Sequence, residues 1–327
     1  MADQPPNQSS NAGRIERAAL AMLAGWMSDR YYRTFRLADA ADRGPFDAIL
    51  GQRELRAGVT VGVLWEDDAT PAHATVEALE AMVSSDLARA RAEGAYALWL
   101  PPRSALPTEE PEASDFRLLI TRGLSGLAPA ERREVRIPAL LRLAKVDAAG
   151  AYMSVVGGLS PDWTLLSENI GGSYHLDSRA IHRTPEEQAE RDILIAHIRD
   201  RAALLMPGEM TTVDSHDYWL VSRVPGSDPA GLTVIGAPAA FDSADAAAVR
   251  RLLRAHITRA EAQRTSGGAD LSVLVLVGSY AHIADERVTA GLRGMNPALY
   301  AGIDLVVLVA DGQVRQVLQP RSLPWER

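Results

Sequence analysis

Residues 59–64, Val-Thr-Val-Gly-Val-Leu, limit the fold more than any other stretch. Both alternate sets of side chains are free of charge, so neither face is marked for solvent. Such a strand belongs in the middle of a sheet that is covered on both sides. Residues 45–50, Pro-Phe-Asp-Ala-Ile-Leu, read as a strand before it. The charged, glycine-bounded stretch 51–58 reads as their hairpin connection. The first strand carries one acidic residue, Asp47. What these two strands hold decides whether the chain has catalytic groups.

The pattern around this pair is helix, strand, strand, helix, strand. Ile15, Ala19, Met22 and Trp26 recur at three- and four-residue steps, which predicts a helix over 14–37, with Glu16 bordering its apolar stripe. Thr70-Pro71 reads as a helix start, and Val76, Leu79, Val83 and Leu87 as its inward face up to Gly94. Residues 95–100 complete the set as a strand. Residues 1–13 have no apolar periodicity and are expected to be disordered. The proline- and glutamate-rich stretch 101–114 reads as a boundary, giving a core over 14–105 and an α+β region over 106–327 that can continue the same sheet. In that region strands are expected at 135–146, 151–156, 218–224, 232–235, 271–277, 303–310 and 314–318. Helices are expected at 184–206, 243–264 and 285–293. The fold class is therefore α/β, a mixed central sheet with flanking helices.

Composition removes several chemistries. The 327-residue chain has no cysteine, which excludes disulfides, thiol catalysis and cysteine-based zinc sites. Of 34 basic residues only Lys145 is lysine, so a lysine-dependent mechanism has one candidate. The net charge of −8 disfavours coating of nucleic acid by bulk charge and leaves room for a local basic patch. No apolar run reaches the ~18 residues of a membrane span. Residues 1–13 lack an export signal, so a cytoplasmic protein with no membrane partner is the expectation. Phosphate loops, dinucleotide fingerprints, zinc-helix motifs and nucleophile elbows are absent.

The helix-strand-strand-helix-strand order, with Pro45-Phe46-Asp47 at the first strand and Glu16 on the preceding helix, resembles the core of the PD-(D/E)XK nuclease-like superfamily, a restriction-endonuclease-like fold. The resemblance implies Mg²⁺ held by Glu16, Asp47 and a carboxylate of the second strand, for phosphodiester hydrolysis. Gly62 and Leu64 stand where that family's glutamate and lysine fall. Two expectations follow. Either the catalytic pair is lost and the scaffold binds nucleic acid without cutting it, which is the favoured reading, or Glu66, with Asp67 or Asp68, supplies the missing carboxylate. In the active case Asp47 and Glu66 are catalytic and Glu16, Asp47 and Glu66 are the metal ligands. Without activity no cofactor is expected.

Other stretches offer binding groups. The glycine-rich segments 157–163 and 171–175 read as loops, with Ser160, Trp163, Tyr174 and His175 as candidate ligand contacts. Tyr280 and His282 follow a buried strand, where open α/β sheets bind ligands. Arg250, Arg251 and Arg254 make the helix 243–264 locally basic, a candidate nucleic-acid face. The alternative function is thus a non-enzymatic interaction or sensor protein that binds a partner or small ligand through the two glycine-rich segments. Residues 135–156 and 158–182 are also similar to a prokaryotic family to which no function attaches. Asp214-Ser215-His216-Asp217 has the residue types of a hydrolase triad, but such groups converge from separate elements.

Overall fold

The computed structural model describes residues 10–66, 72–226, 230–238, 241–242, 245–284 and 286–326. The chain begins with α1 (Asn11–Tyr31), β1 (Arg36–Leu37), β2 (Ala48–Gln52), β3 (Leu55–Val63), α2 (Ala72–Arg89), β4 (Ala95–Trp99) and α3 (Glu112–Leu124). There follow β5 (Arg132–Asp147), β6 (Ala151–Gly157), α4 (Trp163–Ser167), β7 (Gly172–Ser178), α5 (Gln188–Ala203), β8 (Met210–Val224) and β9 (Gly231–Ile235). It ends with α6 (Ala246–Thr265), β10 (Leu271–Val277), α7 (Tyr280–Ala284), α8 (Arg287–Arg293), β11 (Leu305–Ala310) and β12 (Gln313–Leu318). The class is mixed α/β, with two mixed sheets. Among the described residues no helix is long and apolar enough to cross a membrane.

Two compact units divide the chain, Met1–Arg133 with Leu220–Arg327, and Glu134–Trp219. The division differs from the one expected near residue 105. The first unit holds a sheet of order β1-β2-β3-β10-β11-β12. β2 and β3 form the expected antiparallel hairpin, with Ala48 opposite Val59 and Gln52 opposite Leu55. β3 then pairs in parallel with β10, from Ala57 against Leu271 to Val63 against Val277. β4 does not extend this hairpin. It lies between β8 and β9 in the other sheet, antiparallel to β8 from Ala95 against Val224 and parallel to β9 from Ala95 against Gly231. The helix-strand-strand-helix-strand succession exists in sequence, but its last strand is not a neighbour of the other two.

The central, doubly covered position of residues 59–64 is realised. On one face Val59, Val61, Val273 and Val275 pack with Ala19, Leu23 and Met27 of α1. On the other, Leu64, Leu274, Leu276 and Val306 pack with Val249, Leu253 and Ile257 of α6. Each such side chain, fully buried, contributes about 1.5–3 kcal/mol relative to exposure. The α6 side of β3 itself is small. A Cβ on Gly62 would come within 2.4 Å of the His256 ring, and one on Gly58 within 2.4 Å of the Phe46 ring. Gly62 therefore leaves the room in which α6 lays His256 across the strand.

α1 begins earlier than expected. Ser10 Oγ accepts from the Gly13 N–H at 3.2 Å and caps the helix, so residues 10–13 are ordered. Residues 1–9 and the expected helix start Thr70-Pro71 lie outside the described residues. At the other end of the chain Asp311 and Gly312, both at positive φ (51° and 69°), make the expected tight turn between β11 and β12.

The second unit is built on β6, β7, β5 and β8 in that order. β5 and β6 are consecutive but not adjacent, because β7 lies between them, parallel to β6 and antiparallel to β5. Residues 172–175, expected as loop, belong to that strand. Leu141, Leu143, Met153, Leu176, Ile195 and Ile198 form the core beneath α5. α5 starts at Gln188, four residues after the expected cap at Thr184, and Glu187 precedes it without a side-chain capping bond.

Gly62→Ala should lower the unfolding free energy by about 1–3 kcal/mol through overpacking against His256. Urea titration should show a lower midpoint with an unchanged slope. An unchanged midpoint would mean that the imidazole is not held against the strand.

Candidate functional site

Asp47 sits just ahead of β2, at the open side of the hairpin. Its Oδ2 accepts from the Val61 N–H at 2.7 Å and from Arg259 Nη2 of α6 at 2.6 Å. Arg259 also donates to the Val61 carbonyl. One guanidinium therefore ties the start of β2, the middle of β3 and α6 together. Glu16 approaches the same place from α1. Burial first, and then the charge of Asp47, raise its pKa above the ordinary carboxylate value, against the opposing pull of Arg43, Arg259 and Arg17. His256 lies within the same field. Burial lowers its pKa, and its Nε2 pairs with the Val63 carbonyl at 2.8 Å, which makes Nε2 the protonated nitrogen.

The expected metal triad is not assembled. Glu66 is held at another point, in an exposed ion pair with Arg251 at 2.5 Å. Arg251 and Arg259 are two turns apart on α6, about 12 Å along its axis. Glu66 and Asp47 are thus anchored on different turns of α6. Among the described residues no three carboxylate or histidine side chains gather as a metal site. Asp67 and Asp68 lie outside the described residues. Leu64, at the family's lysine position, is fully buried in the core. Asp47 thus pairs with Arg259, Glu16 lies within the field of both, Glu66 does not join them, and the described residues do not fit the Mg²⁺ chemistry that the resemblance implies.

The other candidates have mostly structural partners. Ser160 Oγ donates to the Gly157 carbonyl at 2.7 Å and closes its own turn. Tyr174 is buried in β7, its hydroxyl donating to the Gly171 carbonyl at 2.8 Å and its ring facing the Lys145 ammonium at 5.2 Å. His175 points to the opposite, exposed face of β7. Trp163 is half-exposed and packs on the equally exposed Tyr152, with ring centroids 6.3 Å apart. Ser160, Trp163, Tyr174 and His175 therefore do not line one pocket. His282 is buried, and its Nδ1 accepts from the Ser279 N–H at 3.0 Å, while Tyr280 opens the short helix α7. Of the three arginines expected at a nucleic-acid face, Arg251 is engaged by Glu66, and Arg250 and Arg254 are exposed. Strand alternation in β8 separates the triad-like residues, exposing Asp214 and His216 and burying Ser215 and Asp217. Asp217 accepts from His182 Nδ1 at 2.8 Å and Trp219 Nε1 at 2.7 Å, and from the His182 and Arg183 N–H groups, which fastens residues 182–183.

A cleft of the first unit lies elsewhere, at the end of α1. It is an open concavity of about 1170 Å³ bounded by residues 30–38, 51–53 and 325–326. Ser28 shapes its wall. Its carbonyl accepts from the Tyr32 and Arg33 N–H groups, and its Oγ accepts from the Phe35 N–H at 3.2 Å. Tyr31 and Phe35 turn inward onto Trp325, with centroids 5.8 and 4.9 Å from it. Arg30, Tyr32, Arg36 and Arg53 are left outward and exposed. Arg30 lies 5.4 Å from the Trp26 ring centroid, a cation–π contact. Among the described residues Arg30, Arg36 and Arg53 make no ion pair with a carboxylate, and the nearby Glu326 accepts instead from Gln319 Nε2 and the Leu323 N–H. The signal for this cleft was present in the sequence as Arg30-Tyr-Tyr-Arg-Thr-Phe-Arg36, basic residues interleaved with aromatics. Compared with family models, curated proteins and solved structures, the chain matches none of them.

Glu16 binds its proton more tightly folded than unfolded, so it disfavours the native state at neutral pH, and that penalty is relieved as pH falls through its raised pKa. Glu16→Gln should remove this contribution. The stability difference between variant and wild type, measured by urea titration, should be largest at neutral pH in favour of the variant and shrink on acidification towards pH ~4.5, the unfolded carboxylate range. A difference that does not change with pH would place Glu16 in solvent.

Proposed function

We propose that the chain is a nucleic-acid-binding protein without nuclease activity, and that its first unit holds phosphates in the cleft at the end of α1. The observation that carries this reading is the contrast among arginines. Arg251 and Arg259 are neutralised by Glu66 and Asp47, whereas Arg30, Arg36 and Arg53 converge on one concavity without a carboxylate partner among the described residues. Guanidinium groups around a cleft, none of them in an ion pair with its one carboxylate, Glu326, match phosphate, which they bind through paired N–H donors. On a chain of net charge −8 such a cluster supports local, oriented contact rather than diffuse coating. The resemblance to the PD-(D/E)XK nuclease-like superfamily enters this reading as a scaffold only, and the Asp47–Arg259 ion pair supports its non-catalytic part, since it already compensates the carboxylate's charge.

The Arg36→Ala, Arg53→Ala double variant should weaken binding of a fluorescein-labelled oligonucleotide, measured by anisotropy. The slope of log affinity against log salt should become shallower by about 0.7 for each single-strand phosphate that the variant no longer neutralises. Equal affinity and slope in the double variant would sink this reading. Mg²⁺-dependent cleavage that disappears in Asp47→Ala would overturn its non-catalytic part.

The exposed Tyr152–Trp163 pair favours a second reading, in which the second unit docks a partner through aromatic contacts. In that case Trp163→Ala should abolish partner binding and leave oligonucleotide binding by the first unit unchanged.

A further inference from the structure

We infer that the cleft takes a single strand rather than a duplex, with Tyr32 as the platform for an unpaired base; this rests on the nucleic-acid reading above. Tyr32 is 95 % exposed, the most exposed large hydrophobic side chain among the described residues. It caps α1 at φ 53°, in the left-handed region that a bulky residue rarely occupies. At that φ its ring leaves the path of the helix, while Tyr31 turns into the core beside Phe35 and Trp325. Arg53, at the tip of the β2–β3 hairpin, also has positive φ (55°), where a turn of purely structural purpose favours glycine or asparagine. Both residues stand at the rim of one cleft, one aromatic and one cationic.

The chemistry of these groups selects the ligand. An exposed tyrosine face offers stacking, which a base can use only when it has left the helical stack. Arg36 lies opposite Gly51 in the β1–β2 register, and Arg53 follows two residues later in the β2–β3 turn, so both cations stand at the same end of the sheet. Arg30 and Tyr32 come from the end of α1 on the neighbouring wall. A strand running between them can place phosphates on the guanidinium groups and a base on Tyr32. A duplex keeps its base faces stacked inside and presents phosphates, sugars and base edges, so along its length it offers no base face to a tyrosine ring.

The test compares a fluorescein-labelled oligothymidylate, a hairpin duplex of the same length and inorganic polyphosphate as competitor, on the full chain. The oligothymidylate should bind more tightly than the duplex. Tyr32→Ala should weaken its binding about 5- to 100-fold with little effect on the duplex, and Tyr32→Phe should restore it. Polyphosphate should compete weakly. If Arg36→Ala weakens binding but Tyr32→Ala does not, or if the duplex binds as well as the single strand, the stacking inference falls while the phosphate-binding reading stands. If polyphosphate displaces the oligonucleotide at equal phosphate concentration, the site reads charge alone, with the same consequence. If no oligonucleotide binds, both fall together.

Discussion

The first unit depends on one pairing, that of β3 with β10. It joins segments separated by the whole second unit, and in doing so it supplies the parallel neighbour that the β2–β3 hairpin lacks. Its register is set at the entry, where the Asp270 carboxylate accepts from the Arg56 N–H and the Asp270 N–H donates to the Arg56 carbonyl, both at 2.8 Å. It is closed at the far end by the Leu64 N–H on the Val277 carbonyl at 2.9 Å. Slipping this pairing by one residue would turn Val273 and Val275 from the α1 face to the α6 face and expose no alternative core. β11 and α6 follow from the same choice, since β11 extends β10 and α6 covers it.

That choice also decides the electrostatics. α6 crosses the sheet so that Arg259 reaches Asp47 and Arg251 reaches Glu66. A carboxylate left in a half-buried hairpin needs a cation or a metal, because its desolvation is otherwise uncompensated. Here the cation comes from the helix. The same crossing brings His256 against Gly62 and removes the space in which a catalytic side chain of β3 would stand. The acidic groups that suggest a metal site are therefore parts of a clamp between hairpin and helix. Arg30, Arg36 and Arg53, which make no ion pair with a carboxylate among the described residues, line the cleft at the end of α1.

Parts of this were legible in the chain itself. The double-faced apolar run 59–64 announced a central strand, and the stripe Val249, Leu253, Ile257 and Ala260 announced the inner face of α6. Other parts were hidden for identifiable reasons. Gly171-Gly172 suggested a loop, yet Gly172 starts a strand in which Tyr174, Leu176 and Ser178 alternate inward, because glycine there lets the chain pass close to the Asp147 carbonyl. Asp47 and Glu66 were visible as acids, but not as members of two separate ion pairs, since their partners lie about two hundred residues away. The cleft was half legible. The alternation of arginine and aromatic residues over 30–36 could be read directly, whereas Arg53 and Trp325 join it only through folding.

The sequence alone determined the α/β class, the central place of residues 59–64, the exclusion of thiol chemistry, and the absence of a lysine from the strand where nuclease-like proteins place one. These follow from side-chain periodicity and residue identity, which are local. The tertiary structure decided which strand completes the hairpin, which carboxylates receive an arginine, and which arginines line the cleft at the end of α1. The physical reason is the same in each case. Hydrogen-bond ladders and ion pairs act over a few ångströms in space, and only the folded chain specifies which distant residues come that close.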